Sequence, residues 1–307
     1  MHDQTQCAIS FRTLNCRRLL FSFCLIALAA SGSALAQQPL TLDWVFGEQG
    51  RGVARVPAFV WLEDGTAAMY DTRRPAAERT FERLDPATGR RQPMVDAGRA
   101  LASLKSVASD ADVSEGLPWP LAFDGTGREA LYLFKGDVFI LDLAAARFRR
   151  LTTTAAEEKS ASFSPDGRRV AYVRDNDLYV FDLDGNRESR ITRDGSETTL
   201  NGTLSWVYWE EVFGRRDIGY WWSPDSEAIA YLQSDDSQVD LCYFTDFIPF
   251  SPRVIRQRYA RAGRQNPRVR LGIAELVREG TTWVHVDDKP DAHGTSTSSR
   301  SSNRQAA

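Results

Sequence analysis

Short apolar runs separated by polar corners fill the middle of the chain, and they recur at a fixed interval. LAFDGTGREALYL, starting at Leu121, returns as ASFSPDGRRVAYV at Ala161. DVFILDL at Asp137 returns as DLYVFDL at Asp177, and RRLTTT at Arg149 returns as SRITRD at Ser189. All three patches give an offset of 40 residues, which defines one repeat unit. Each unit reads as strand, turn at a Gly-bearing corner, strand, Asp-containing turn, strand. That is the four-stranded sheet of a β-propeller blade at its usual period of about 40 to 45 residues.

The flanks fit the same class. PAFVWLEDGTAAMYD carries Asp64-Gly65 between two apolar runs, and TFERLDPATGRRQPMV carries Asp85 to Gly89, so both predict hairpins. Gly98 to Ala108 predicts a short helix or loop. Further on, SPDSEAIAYLQ starts another blade, and RQRYARAGRQNPRVRLGIAEL predicts a strand pair joined by a Gly- and Pro-bearing loop. The expectation is an all-β chain forming about half of an eight-bladed type of propeller, with roughly four blades.

One stretch is surplus to the repeat. Ser223-Pro224-Asp225-Ser226 follows Ser164-Pro165-Asp166-Gly167 by 59 residues, about 19 more than the period allows. The surplus falls in LNGTLSWVYWEEVFGRRDIGYWW, Leu200 to Trp222. Leu204, Val207, Tyr208 and Glu211 lie at helical spacing, and Gly214 stops the run, so a helix of two or three turns is expected between strands. Glu210 and Glu211 leave such a helix roughly 100° apart and can close on one cation from two sides. The surrounding aromatics are expected to desolvate the pair in part, and a desolvated acidic pair calls for a positive partner such as a peptide's free amino terminus. A solvated helix face is the plainer reading of two adjacent glutamates.

SWVYWEEVF, GYWWSPDSEAIAYLQ and QRYARAGRQNPRVRLGI resemble the N-terminal propeller domain of the dipeptidyl peptidase IV family of serine peptidases, and the likeness runs from about Arg51 to Val286. The resemblance places Glu210 and Glu211 on the family's paired glutamates, which hold the substrate's free N-terminal ammonium and restrict cleavage to dipeptides. It implies a role in proteolysis, the release of Xaa-Pro or Xaa-Ala dipeptides, with a peptide substrate as partner and a homodimer as assembly. It also implies that the nucleophilic Ser, Asp and His belong to a C-terminal α/β-hydrolase domain beyond this sequence. The family's carbonyl-holding arginine does not carry over, because LFKGDVFIL offers Lys135 there. Two further readings stay open: a stand-alone peptide- or protein-binding propeller, and an inactive gene fragment.

Composition narrows the choices. No G-x-S-x-G pentapeptide occurs, and the three histidines are His2, His285 and His293, so no catalytic residue is assigned to this chain. Nothing in the pattern asks for a metal or another cofactor; Asp142, Asp182 and Asp184 sit in turns, where aspartate caps its own backbone. A net charge of −3 argues against a nucleic-acid surface. Residues 1 to 36 read as a signal peptide: Arg17 and Arg18, an apolar run from Leu19 to Ala30, then Ala34-Leu35-Ala36. Cleavage after Ala36 and a periplasmic or secreted location are expected, with a retained anchor as the alternative. Cys7, Cys16 and Cys24 lie in that leader, leaving Cys242 as a buried structural thiol. Residues 37 to 286 form the propeller region. From Asp287 to Ala307 the chain turns Ser/Thr-rich and predicts disorder, as a premature end or a shifted reading frame would produce.

Overall fold

The computed structural model describes residues 40–285, apart from 48–49, 51–52, 54–55, 110, 112–115 and 279. The expected leader with its cleavage site and the expected disordered tail lie outside these residues. The chain divides into two compact units, Met1–Val56 and Pro57–Ala307. In the first, a single helical turn, α1 (Leu42–Phe46), is capped by Thr41, whose hydroxyl accepts the Trp44 N–H at 3.1 Å.

The second unit consists of antiparallel sheets. Strands β1 (Ala58–Trp61), β2 (Ala67–Tyr70), β3 (Glu82–Leu84) and β4 (Arg91–Pro93) form the first blade in sequential order. Helix α2 (Ala97–Val107) follows, begun by Asp96, which accepts the Arg99 N–H, and it buries Ala100 and Leu104. The second blade is β5 (Ala122–Phe123), β6 (Glu129–Phe134), β7 (Asp137–Asp142) and β8 (Arg147–Arg150). The third is β9 (Glu158–Phe163), β10 (Arg169–Arg174), β11 (Asp177–Asp182) and β12 (Arg187–Arg190). From β6 onward each strand of the second blade lies 40 residues before its counterpart in the third, so the sequence register is the structural register.

The apolar runs DVFILDL and DLYVFDL lack polar alternation because both faces of these strands are covered. In β7, Phe139 and Leu141 enter the core shared with the first blade and α2, while Val138 and Ile140 enter the core shared with the third blade. In β11, Tyr179 and Phe181 face the second blade; Leu178 and Val180 face the fourth. The hairpin corners repeat as well. Lys135-Gly136 and Asp175-Asn176 take positive φ at both positions, the conformation of a tight two-residue hairpin turn.

RRLTTT and SRITRD build one polar clasp twice. The Thr152 hydroxyl accepts the Val138 N–H at 2.9 Å while Arg150 pairs with buried Asp137. Likewise the Thr192 hydroxyl accepts the Leu178 N–H at 3.0 Å and Arg190 pairs with fully buried Asp177. Asp177 Oδ1 also accepts from Thr192 at 2.6 Å, the Gly195 N–H at 3.0 Å and Asn201 Nδ2 at 3.1 Å, which ties the third blade to the fourth. The turn aspartates serve local bonds: Asp142 accepts the Ala145 N–H, Asp182 those of Asp184 and Gly185, and Asp184 pairs with Arg168.

The fourth blade is β13 (Thr199–Asn201), β14 (Tyr220–Trp222), β15 (Ala228–Asp235), β18 (Arg268–Glu275) and β19 (Thr281–Trp283). Between β15 and β18 the chain runs out into a hairpin arm, β16 (Leu241–Asp246) and β17 (Arg253–Arg258). The expected pairing across RQRYARAGRQNPRVRLGIAEL is therefore corrected: β17 pairs with β16, and β18 pairs with β15 from Ala228↔Glu275 to Asp235↔Arg268. Local sequence marks both segments as strands, but partners are chosen by contacts far along the chain. Cys242 is buried at the arm's base, where its sulfur accepts from Arg261 at 3.1 Å.

Candidate functional site

Strands β13 and β14 are two halves of one strand. β13 pairs with Gln233 to Asp235 and β14 with Ile229 to Tyr231, both on the same edge of β15. Between the halves the chain leaves the sheet at Gly202 and returns at Gly219. Leu232 bridges the gap: its carbonyl accepts the Gly202 N–H at 3.0 Å and its N–H donates to the Gly219 carbonyl at 2.8 Å. Gly219 N–H in turn donates to the Gly202 carbonyl at 2.9 Å, closing the excursion at its neck. Gly202 holds φ +76°, a conformation that side chains resist, and a Cβ on Gly219 would lie 2.9 Å from Leu204. The surplus legible in the sequence is thus a clasped loop growing out of an uninterrupted blade.

Two further contacts fix the loop. Asp217 accepts the Leu204 N–H at 3.2 Å, and burial pushes its carboxyl pKa upward. The buried Tyr220 hydroxyl meets the Ala171 carbonyl at 2.9 Å and Ser162 Oγ at 2.9 Å, where β9 bulges against β10; Trp222 Nε1 donates to Ser162 at 3.2 Å. At the loop's other side the Trp206 ring lies 4.5 Å from that of Tyr259, just past the arm.

Glu210 and Glu211 sit in this loop as the spacing predicted, but the helix differs in type. After a turn at Trp206 and Val207 the backbone widens into a π-helical turn, Tyr208–Val212, in which the Phe213 N–H donates to the Tyr208 carbonyl at 2.8 Å. Such turns are uncommon and concentrate at functional sites. The expected desolvation of the pair is also corrected. Glu211 is exposed, as are Val212 and, partly, Trp221, while only Glu210 is shielded, its side chain 22% accessible. Of the aromatic residues in this stretch, Tyr220 is buried in the blade core, Trp206 packs on Tyr259 and Phe213 lies beside Trp221.

Sequence reasoning missed the partner of Glu210. Arg215 donates to Glu210 Oε1 through Nη2 at 2.7 Å and Nε at 3.1 Å, from a side chain 76% accessible. The signal was present in GRRD: Gly214 ends the π turn with positive φ and folds the following arginine back over it. Glu211 has no ion pair among the described residues. The site therefore offers one carboxylate neutralised by an exposed, replaceable cation and one open to solvent. Lys135, the residue standing where a carbonyl-holding arginine was sought, occupies the β6–β7 hairpin corner.

A probable dipeptidyl-aminopeptidase B of Aspergillus oryzae is 28% identical over 288 residues, which is 85% of this chain and 32% of the relative. A dipeptidyl peptidase 4 of Arthroderma otae is 34% identical over 104 residues, 32% of this chain and 13% of the relative. The chain spans about a third of the length of the long curated relatives it matches. The crystal structure of Porphyromonas gingivalis dipeptidyl peptidase 4 superposes with a TM-score of 0.65 at 23% identity, covering 83% of this chain and 36% of that one, which establishes a shared fold. The family model described as the dipeptidyl peptidase IV (DPP IV) N-terminal region matches residues 128–297, more than half of the sequence, and the chain belongs to that family.

Proposed function

We propose that this chain is the substrate-recruiting propeller portion of an exported dipeptidyl peptidase IV-like serine exopeptidase, and that Glu210 and Glu211 receive the free amino terminus of a peptide. The observation that carries the reading is the placement of the pair on a π turn held out from the fourth blade by the Gly202–Gly219 neck, in a member of this family. An ammonium docked there gains charge-assisted hydrogen bonds from both carboxylates, and an acylated terminus loses the charge and most of that gain. In this reading the reaction assisted is the removal of dipeptides from a peptide's amino terminus, the activity in the names of the relatives; Xaa-Pro and Xaa-Ala dipeptides are the proposed products, and the protein works in the periplasm or outside the cell after cleavage behind Ala36.

Titration calorimetry of the purified chain with an Xaa-Pro peptide, free or acetylated at its terminus, tests the proposal. The free peptide is expected to bind at least tenfold more tightly, and Glu210→Gln with Glu211→Gln to erase the difference. Equal affinity for the two peptides in the parent chain would overturn it.

A further inference from the structure

Trp221 stands between the two residues that tie β14 to the third blade. Successive side chains of a strand alternate in face, so Tyr220 and Trp222 share one side of β14 and Trp221 takes the other. Tyr220 and Trp222 pack into the core against Ala171 and Val173 of β10 and Leu178 and Val180 of β11. Trp221, paired with Ala230, remains 45% exposed.

The tie to the third blade is a directed relay of hydrogen bonds. An indole N–H only donates, so Ser162 Oγ accepts from Trp222 Nε1 at 3.2 Å. The Tyr220 hydroxyl has main-chain carbonyls to donate to, those of Ala171, at 2.9 Å, and Ser160, which leaves Ser162 as the donor in its 2.9 Å contact with Tyr220. Ser160 lies in the bulge of β9 at φ +55°, and Ser162 at the bulge's end. Bulges re-aim the groups beside them and concentrate next to functional sites. With both neighbours held in this way, the direction of Trp221 is fixed by the third blade.

On its own side Trp221 meets Phe213. The ring centroids are 6.2 Å apart, within the range of interacting aromatic pairs. Phe213 follows Glu211 by two positions, and its N–H closes the π turn on the Tyr208 carbonyl at 2.8 Å. A continuous line of support therefore runs from the β9 bulge through β14 to Trp221, and from there through Phe213 into the turn that carries Glu210 and Glu211.

We infer that Trp221 is a positioning residue for the Glu210–Glu211 pair, acting through Phe213 rather than on the ligand. The inference rests on the proposed role of that pair in receiving a peptide's amino terminus. The Gly202–Gly219 neck sets where the loop leaves the blade, and Trp221 sets how its turn is aimed.

Amide hydrogen exchange followed by NMR tests this without any ligand. In Trp221→Ala the amides of Phe213 and Arg215, which donate to the Tyr208 and Trp209 carbonyls, should exchange about tenfold faster or more. The hydrogen-bonded amides of Leu178 and Ile191 in the third blade should keep their parent rates. Trp221→Phe keeps a ring beside Phe213 and should bring the loop amides back to within about threefold of the parent. Calorimetric affinity for an Ala-Pro peptide with a free amino terminus should fall about tenfold or more in Trp221→Ala and return in Trp221→Phe. Unchanged exchange at Phe213 and Arg215 in Trp221→Ala would overturn the inference. So would an equal acceleration at Leu178 and Ile191, which marks a general loss of stability, or a loosened turn with unchanged affinity. A parent chain that binds no peptide counts against the Glu210–Glu211 reading instead, and the exchange rates still decide whether Trp221 holds the turn.

Discussion

Arg215 reaches back across the π turn and places two N–H groups, at 2.7 and 3.1 Å, on a single oxygen of Glu210. In a site proposed to receive an ammonium, this guanidinium occupies part of the position the ligand would take. Exposed ion pairs contribute about 0–1 kcal/mol, so an incoming terminus displaces it at small cost. Arg215→Ala is expected to tighten binding of a free-amino-terminus peptide several-fold and to leave the melting temperature within a few degrees of the parent. Weaker binding in the calorimeter would show that Arg215 orients Glu210 instead of competing for it.

The neck of the loop sets a second expectation. Gly202 holds φ +76°, with Leu178 and Val173 already 3.3 Å from where a Cβ would stand. Gly202→Ala should therefore cost about 1–3 kcal/mol, from backbone strain and crowding against the third-blade core. Denaturant unfolding reads the cost directly, and an unchanged midpoint would show that the neck does not constrain the loop.

Asp177 anchors the junction of the third and fourth blades. Fully buried, it pairs with Arg190 and accepts from Thr192, Gly195 and Asn201. Asp177→Ala leaves three donors and a guanidinium without their acceptor and should destabilise by about 3–5 kcal/mol. The equivalent Asp137→Ala change in the second blade should cost less, because Glu158 also accepts from Thr152, at 2.6 Å. A chevron or equilibrium series on both variants checks the order, and a larger loss at Asp137 would contradict it.

Burial pushes the Asp236 carboxyl up to about 6, aided by the neighbouring charge of Asp235 and opposed by Arg258. Its unfolded value is near 4, so between about pH 4 and 6 the folded chain binds more protons than the unfolded one. The resulting penalty is absent below pH 4, grows as pH rises, and is complete above about pH 6, where it amounts to about 2–3 kcal/mol. Asp236→Asn should remove this slope, making the variant more stable than the parent at neutral pH but not at pH 4. Parallel stability curves across that range would refute the assignment.

Much of this was legible in the sequence, for reasons that particular residues make plain. The 40-residue register is legible because the second and third blades repeat the same three demands: a doubly buried strand such as Val138 to Leu141, a tight corner such as Lys135-Gly136, and a Thr–Asp–Arg clasp. The surplus segment was legible as a break in that register. What escaped was long-range. Nothing local to Arg253–Arg258 says that its partner is Leu241–Asp246, and nothing in the aromatic density around Glu211 says that this residue stays exposed. The π turn escaped because five residues, Tyr208–Val212, are too few for an apolar period to separate a π winding from an α one.

A structure of the chain bound to an Xaa-Pro peptide with a free amino terminus tests the central claim most directly. The account predicts the peptide's ammonium within about 2.7–3.2 Å of carboxylate oxygens of both Glu210 and Glu211. Arg215 is predicted to be swung clear of Glu210 into solvent. A peptide whose terminus lies elsewhere while the Arg215–Glu210 pair stays intact would contradict it.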